Sequence, residues 1–318
     1  MGEMSRPRTI LVALTLVTFT LVACGSSATP AATGAAPASS ASAFPVTVTG
    51  TNGEVTIDQL PTRIVSLSPS ATEDLFAIGA GNQVIAVDDQ STFPLGAPMT
   101  KLSGFEPNVE AIAGYQPDLV VYATETGGLG SSLKKLGIPA LQLDAAASLD
   151  DVYGQIETLG QATGHVPEAA TLAGTMRSTI QGIVANADMS AGLTFYYELD
   201  DTYYSVTSNT FIGQLFSQLG LTNIADQAKK ASSGYPQLSG EYIIAANPDL
   251  IFLADTKCCH QSATTVAARA GWKDITAVRN GNVVALDDDV ASRWGPRVVD
   301  LLQQIADAAA AAGQAAAA

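Results

Sequence analysis

Histidine, cysteine and tryptophan are scarce: two, three and two residues in a chain of 318. The two histidines, His165 and His260, stand in no recognisable constellation and leave little for general acid–base catalysis. Reaction signatures are missing as well. There is no Gly-x-Ser-x-Gly elbow, no Walker loop, no His-Glu-x-x-His pair and no Gly-x-Gly-x-x-Gly turn. Basic residues are few, 15 Lys and Arg against 30 Asp and Glu, for a formal net charge of −15. So acidic a chain repels phosphate backbones, which argues against nucleic acid as a partner. Charged residues make up only 14% and hydrophobic residues 47%, a balance that excludes wholesale disorder. After Ala23 no long apolar run recurs, so no second membrane segment is expected.

The one apolar run extends from Thr9 to Ala23, behind Arg6 and Arg8. It is shorter than the ~20 residues of a spanning helix and suits a secretory signal. It ends in Leu21-Val22-Ala23-Cys24-Gly25, a small residue directly before a cysteine, which resembles a bacterial lipobox. Residues 25–43 are Ser, Ala, Thr, Gly and Pro only, a composition that builds no core. Expected are a signal peptide over 1–24, a flexible linker over 25–45, and a lipidated Cys24. That lipid would hold an exported protein to the outer face of the cytoplasmic membrane, at the cell surface or in a periplasm.

Beyond the linker, helical and strand patterns alternate, which predicts an α/β protein with parallel sheets. One segment occurs twice. Glu110 to Val121 runs through Pro117-Asp118-Leu119, and Glu241 to Phe252 runs through Pro248-Asp249-Leu250, with the glutamate at the same interval. Leu75 to Gly79 resembles Leu215 to Gly220, and Gly137 to Asp144 resembles Gly281 to Asp287. The repeat predicts two similar α/β lobes with central parallel sheets, joined by one long helix, with a ligand cleft between them. The boundaries read as an N-terminal lobe over 46–146, a connecting helix over 147–189, a C-terminal lobe over 190–312 and an Ala-rich tail over 313–318. Leu149, Val152, Ile156 and Leu159 mark the helix face, and Gly164 and Pro167 interrupt it.

The ordered set Arg63-Ile64-Val65-Ser66-Leu67-Ser68-Pro69-Ser70-Ala71-Thr72-Glu73, Gly79, Asn108-Val109-Glu110, Pro117-Asp118-Leu119, Tyr235-Pro236-Gln237-Leu238-Ser239, Glu241, Pro248-Asp249-Leu250 and Arg293-Trp294-Gly295-Pro296-Arg297 resembles one known family. It is that of the substrate-binding proteins of vitamin B12 and ferric-siderophore ABC importers, with the vitamin B12 binders most similar. The resemblance implies a monomer that captures a corrinoid or metal chelate, such as cobalamin, haem or a ferric siderophore. It would deliver this cargo to an ABC permease with its ATPase subunits. In the family, one surface glutamate on each lobe docks to permease arginines; Glu110 and Glu241 occupy those positions. Cleft candidates are Phe93, Phe105, Tyr122, Tyr197 (or its neighbour Tyr196), Tyr235, Arg293 and Trp294, with Arg297 and Lys257 as further cations. Tyr235 falls where the vitamin B12 binder has tryptophan. Two other such tryptophan positions fall at Gly104 and Ala123, where this chain departs from the pattern.

Cys258 and Cys259 are adjacent, at a loop following the second Pro-Asp-Leu strand. They read as a candidate vicinal disulfide, then as free thiols, then with His260 as metal ligands. No resident metal and no cofactor is expected. Asp287-Asp288-Asp289 reads as a solvated strand end, and Glu198, Asp200 and Asp201 as a loop cluster. The expected activity is binding without catalysis. The alternative is an extracytoplasmic enzyme that processes a tetrapyrrole or chelate through Cys258 and Cys259.

Overall fold

The computed structural model describes residues 44–187, 192–229, 231 and 234–317. Cys24, the signal segment and most of the linker lie outside these residues. The described chain begins with a hairpin, β1 (Val46–Gly50) and β2 (Gly53–Ile57). The N-terminal sheet follows: β3 (Ile64–Leu67), β4 (Val84–Asp88), β5 (Met99–Leu102), β6 (Leu119–Tyr122) and β7 (Ala140–Gln142), in the order β5-β4-β3-β6-β7. The second sheet holds β8 (Thr194–Glu198), β9 (Thr222–Asn223), β10 (Leu250–Leu253) and β11 (Val283–Ala285), in the order β9-β8-β10-β11. All pairings within both sheets are parallel. The four-strand order repeats the β4-β3-β6-β7 part of the first sheet, so the sequence repeat is a repeat of topology. Strands β3, β6 and β10 are buried along their whole length, as expected where helices cover both faces of a parallel sheet.

Helices follow where caps and turn residues allow. α1 (Pro69–Ala77) starts at Ser68, whose hydroxyl accepts the Ala71 N–H, with Pro69 in the first turn. α2 (Val109–Gly114) and α3 (Leu129–Lys135) cover the outer face of the first sheet around Val65, Val120 and Tyr122. After α4 (Leu149–Thr163) and α5 (Val166–Asn186) come α6 (Phe211–Gln218), α7 (Gly240–Ala246), α8 (Ala263–Ala267), α9 (Thr276–Arg279), α10 (Asp288–Ala291) and α11 (Val298–Ala317). The outer face of the second sheet packs around Tyr196, Ile251, Leu253 and Trp272.

The inner faces share one core. Ile64 and Leu75 of the first lobe, Ile156 and Ile180 of α4 and α5, and Phe195, Phe216 and Leu302 of the second lobe all belong to it. Phe195 stacks on Phe216 at 4.2 Å, and Phe252 meets Phe216 edge-on at 4.9 Å. Each such side chain contributes about 1.5–3 kcal/mol through burial.

The segment expected as one connecting helix holds two. Gly164, at φ 77°, ends α4, and His165 caps α5. The two pack antiparallel: Gly160 faces Ala169 near the turn, and the Arg177 guanidinium lies 4.3 Å over the Tyr153 ring further along. A Cβ on Gly160 would fall 2.4 Å from the Ala169 methyl, so only glycine allows this approach. α4 packs on α1 and β1, while α5 packs on α11 and carries the chain to the second lobe. Among the described residues no helix is long and apolar enough to cross a membrane.

Candidate functional site

The residues after the carboxyl ends of the strands bring the lobes together. The Trp294 N–H donates to Ser70 Oγ at 3.1 Å, and the Thr92 hydroxyl donates to Asp289 at 3.2 Å. Ser70 and Thr92 follow β3 and β4; Asp289 and Trp294 follow β11. Brought to this seam is an ion network. Glu73, 2% exposed, accepts from Arg293 at 3.1 Å and from Arg297 Nε at 2.9 Å. Arg293 also donates to Gln90 O, Thr92 and Asp289. The seam encloses a pocket of about 260 Å³ between Glu73, Phe76, Phe93, Pro94, Pro296 and Arg297. That is below the ~300–1,000 Å³ of ordinary ligand pockets.

Three cleft candidates are therefore corrected. Arg293 is buried with both terminal guanidinium nitrogens hydrogen-bonded, and it clasps the lobes rather than offering a free cation. Tyr197 is fully buried against Phe216, with its hydroxyl on Ala291 O at 3.1 Å. Burial, followed by the charges of Asp288 and Asp255, pushes its pKa above the usual tyrosine range. Tyr122 is 1% exposed and donates to Glu125 at 3.0 Å. Its edge lines a separate hollow of about 370 Å³ with Glu54, Glu125 and Lys134. Its pKa too is raised, by burial first and then by Glu125. Both tyrosines lie within parallel strands, β6 and β8, that are covered on both faces. Tyr196 is buried as well.

The remaining candidates stay accessible. Phe93, Phe105 and Tyr235 are 41%, 69% and 52% exposed, and Arg297 sits 4.3 Å over the Phe93 ring. Trp294 is half-buried against the shared core, with its indole N–H on Gln155 at 3.1 Å. Gly104 explains one departure from the tryptophan pattern. A Cβ there would lie 2.7 Å from Leu67 O and 2.8 Å from the Asp88 carboxylate, so no ring fits without backbone movement.

The second lobe's rim is built by carboxylates that sequence patterns left as solvated acids. Asp288 accepts three successive N–H groups, from Thr256, Lys257 and Cys258, at 2.8–3.0 Å, and the Thr256 hydroxyl at 2.7 Å. Asp287 caps α10, and Lys257 bridges Asp287 and Asp289 at 2.7 and 2.9 Å. Burial works to raise the pKa of Asp287 and Asp288. It is outweighed by Lys257 and the Asp289 amide at the first, and by Thr256 and the loop amides at the second, so both sit below their usual value. Behind the loop, Glu198 is fully buried and takes both guanidinium nitrogens of Arg269, at 2.7 and 2.6 Å. Asp255 is fully buried beside it; burial and then the Glu198 charge raise its pKa to about 8, and neither of its carboxylate oxygens finds a hydrogen-bond partner among the described residues. The signal for this pair was available: Glu198 directly follows the aromatic run Phe195-Tyr196-Tyr197, all of it buried.

Cys258 and Cys259 are free thiols, so the candidate disulfide is not formed. The loop's path is fixed by Asp288, and His260 turns it at φ 55°. Among the described residues no group of three or more His, Cys, Asp or Glu is placed to hold a metal ion. His165 caps α5 half-buried, with its ring on Thr163 O at 2.9 Å.

Glu110 and Glu241 are exposed in the first turns of α2 and α7, where carboxylates suit the helix dipole. Their helices share one cap chemistry, Asn108 on Ala111 N and Ser239 on Tyr242 N. Both helices end in a left-handed residue before the proline, Gln116 (φ 51°) and Asn247 (φ 48°). The following aspartates clasp the first residues of the neighbouring strands. Asp118 accepts from Thr62 and Arg63, and Asp249 from Thr194, at 2.8–3.0 Å.

The periplasmic binding protein family model matches residues 64–290, which span both sheets. The chain belongs to the periplasmic binding protein family. A cobalamin-binding protein of Halobacterium salinarum is 34% identical over 86% of this chain and 76% of its own length. An uncharacterized ABC transporter substrate-binding lipoprotein of Bacillus subtilis is 32% identical over 83% of this chain and 85% of its own. The crystal structure of the periplasmic vitamin B12 binding protein of Vibrio cholerae matches with a TM-score of 0.68 at 25% identity, covering 80% of this chain and 98% of the other. Membership makes this periplasmic binding protein a capturing protein and not an enzyme, which overturns the chelate-processing alternative.

Proposed function

We propose that the chain is a lipid-anchored extracytoplasmic solute-binding protein that captures cobalamin, or a similar metal macrocycle such as haem, and delivers it to an ABC importer. The observation that carries the ligand class is the rim itself: exposed Phe93, Phe105 and Tyr235 on two lobes, with every cation at the seam already paired. Aromatic faces bury a large, flat ligand at small entropic cost. Polyanionic ferric catecholates and citrates call for free positive charge, whereas the neutral amides of a corrinoid do not. Relatives named as cobalamin- and vitamin B12-binding support the same order. Anchoring through Cys24 rests on the lipobox and on the relative named a lipoprotein.

Titration with cyanocobalamin, haemin and ferric siderophores tests the reading through indole quenching. Trp294 at the seam is the reporter, and Trp272, buried in the outer layer of the second lobe, is the control. Saturable quenching by cyanocobalamin is expected; quenching by a ferric catecholate alone would reassign the cargo. Delivery is tested separately. Glu110→Lys with Glu241→Lys should abolish uptake in cells and leave ligand affinity unchanged, because two equivalent carboxylates suit a two-fold partner. Undiminished uptake by the correctly folded double variant would remove the docking role.

A further inference from the structure

Gln155 is a polar residue on the apolar stripe of α4. It stands three residues after Val152 and four before Leu159, both buried, and is itself part-buried. A polar side chain placed there needs partners, and both of its amide atoms have one. Nε2 donates to Asp144 O at 2.7 Å, in the loop after β7, and Oε1 accepts the Trp294 indole N–H at 3.1 Å. A backbone carbonyl only accepts and an indole nitrogen only donates, so these two partners set the amide one way round. Hydrogen bonding holds the side chain more than packing does. A hollow of about 420 Å³ opens beside it, between the β1–β2 turn, residues 143–147 and α4, with room for Gln155 to turn away.

The Trp294 backbone is fixed separately. Its N–H is on Ser70, and Arg293 and Arg297 to either side hold Glu73. A Cβ on Gly295 would lie 3.2 Å from the Glu73 carboxylate, so this loop sits close against α1. These contacts place the main chain and leave the ring to choose, because the χ2 torsion of tryptophan is broad and roughly two-fold. The indole has one polar atom, at one edge, and turning the ring over carries that atom away from Gln155. On the reading that Trp294 faces the cargo, we infer that Gln155 is a positioning residue: it selects one of the two orientations of the Trp294 ring and so sets the aromatic surface that a flat ligand meets. Gln155 acts through Trp294. The same amide refers the ring to the first lobe through Asp144 O, in a loop that the second lobe also holds, by Gln214 donating to Ala147 O at 3.0 Å. The aim of the ring therefore depends on the lobes keeping their relative place.

The chain has two tryptophans, so the full-length protein gives two indole N–H signals in a proton–nitrogen NMR spectrum, and Trp294→Phe identifies the one concerned. Gln155→Leu, which offers the indole no acceptor, should move the Trp294 signal and speed its hydrogen exchange by roughly tenfold. Gln155→Glu keeps an oxygen for the indole N–H and should restore both. The Trp272 signal should stay in place throughout. Gln155→Leu should weaken cyanocobalamin by roughly tenfold, but by less than about twofold where Trp294 is already phenylalanine, since a residue that acts through the ring then has nothing to aim. The same cycle is run with haemin where haemin is what the wild type binds. An unmoved, equally protected Trp294 signal in Gln155→Leu overturns the positioning role, whatever the ligand result. So does an equal loss of affinity with and without Trp294, which is the mark of a general structural effect. Wild-type affinity in Trp294→Phe, or in Gln155→Leu with its signal moved, overturns the bearing of the ring on the cargo. Failure of the wild type to bind cyanocobalamin, haemin or a ferric siderophore defeats the capture reading and the cargo half of this inference with it, while the indole signals still decide whether Gln155 aims the ring.

Discussion

Asp255 shows how one side chain turns burial into a pH dependence. Its carboxyl shares a dry site with Glu198, so its pKa is raised to about 8, against about 3.9 in an unfolded chain. Between those two values the folded protein holds a proton that the unfolded chain has released, so stability falls as pH rises through this window and levels off above it. Asp255→Asn removes the second charge from beside Glu198 at nearly constant volume. The variant should gain thermal stability at pH 8.5 and gain little at pH 4, measured as Tm across the series. An equal gain at both values would mean that Asp255 does not titrate in the fold. The same residue scale explains Arg293. Its sequence neighbourhood marked it as a cleft residue, but the partners that engage it, Glu73, Gln90 and Thr92, lie some two hundred residues away.

The repeated element is the strand entry after Pro-Asp-Leu. Asp118 and Asp249 each accept backbone and hydroxyl donors at the start of the adjacent central strand, β3 or β8. Removing the acceptor leaves part-buried donors of Thr194 unpaired at the second site, at about 1–3 kcal/mol each, whereas the donors of Thr62 and Arg63 at the first are exposed and turn to water. Asp249→Ala should lower the urea midpoint more than Asp118→Ala, and the double variant should be close to additive, because the sites are on separate sheets. A negligible change in Asp249→Ala would mean that water replaces the carboxylate there too. The helix pair α4 and α5 belongs to this scale too. Gly164 and Pro167 announced a break, and the antiparallel return followed from Gly160, where the absence of a side chain lets α5 fold back onto α4.

For the whole molecule, the two lobes are held by α5, by the common core and by the buried Glu73–Arg293–Arg297 cluster. Breaking a buried ion cluster by removing one partner strands the others and costs about 3–5 kcal/mol. Glu73→Gln should lower Tm by roughly 5–15 °C and enlarge the radius of gyration in solution scattering as the seam loosens. An unchanged Tm and radius would show that the core alone fixes the lobes.

Local sequence determined a great deal. The alternation of patterns, the repeated Glu…Pro-Asp-Leu and the quoted motifs established two similar parallel α/β lobes, the family and the absence of catalysis. Those features are short-range: caps, breakers and strand runs act within a few residues. The exposed candidates Phe93, Phe105 and Tyr235 and the equivalent helix starts of Glu110 and Glu241 were legible in the same way. Only the tertiary structure decided which aromatics are core and which stay exposed, because a parallel strand hides both faces and its residue types look alike on either. It also decided what the acids do. Glu73, Glu198, Asp255 and Asp288 find their partners across the fold, and a carboxylate's role is set by what burial and neighbouring charge leave it to bind, which the order of residues does not encode locally.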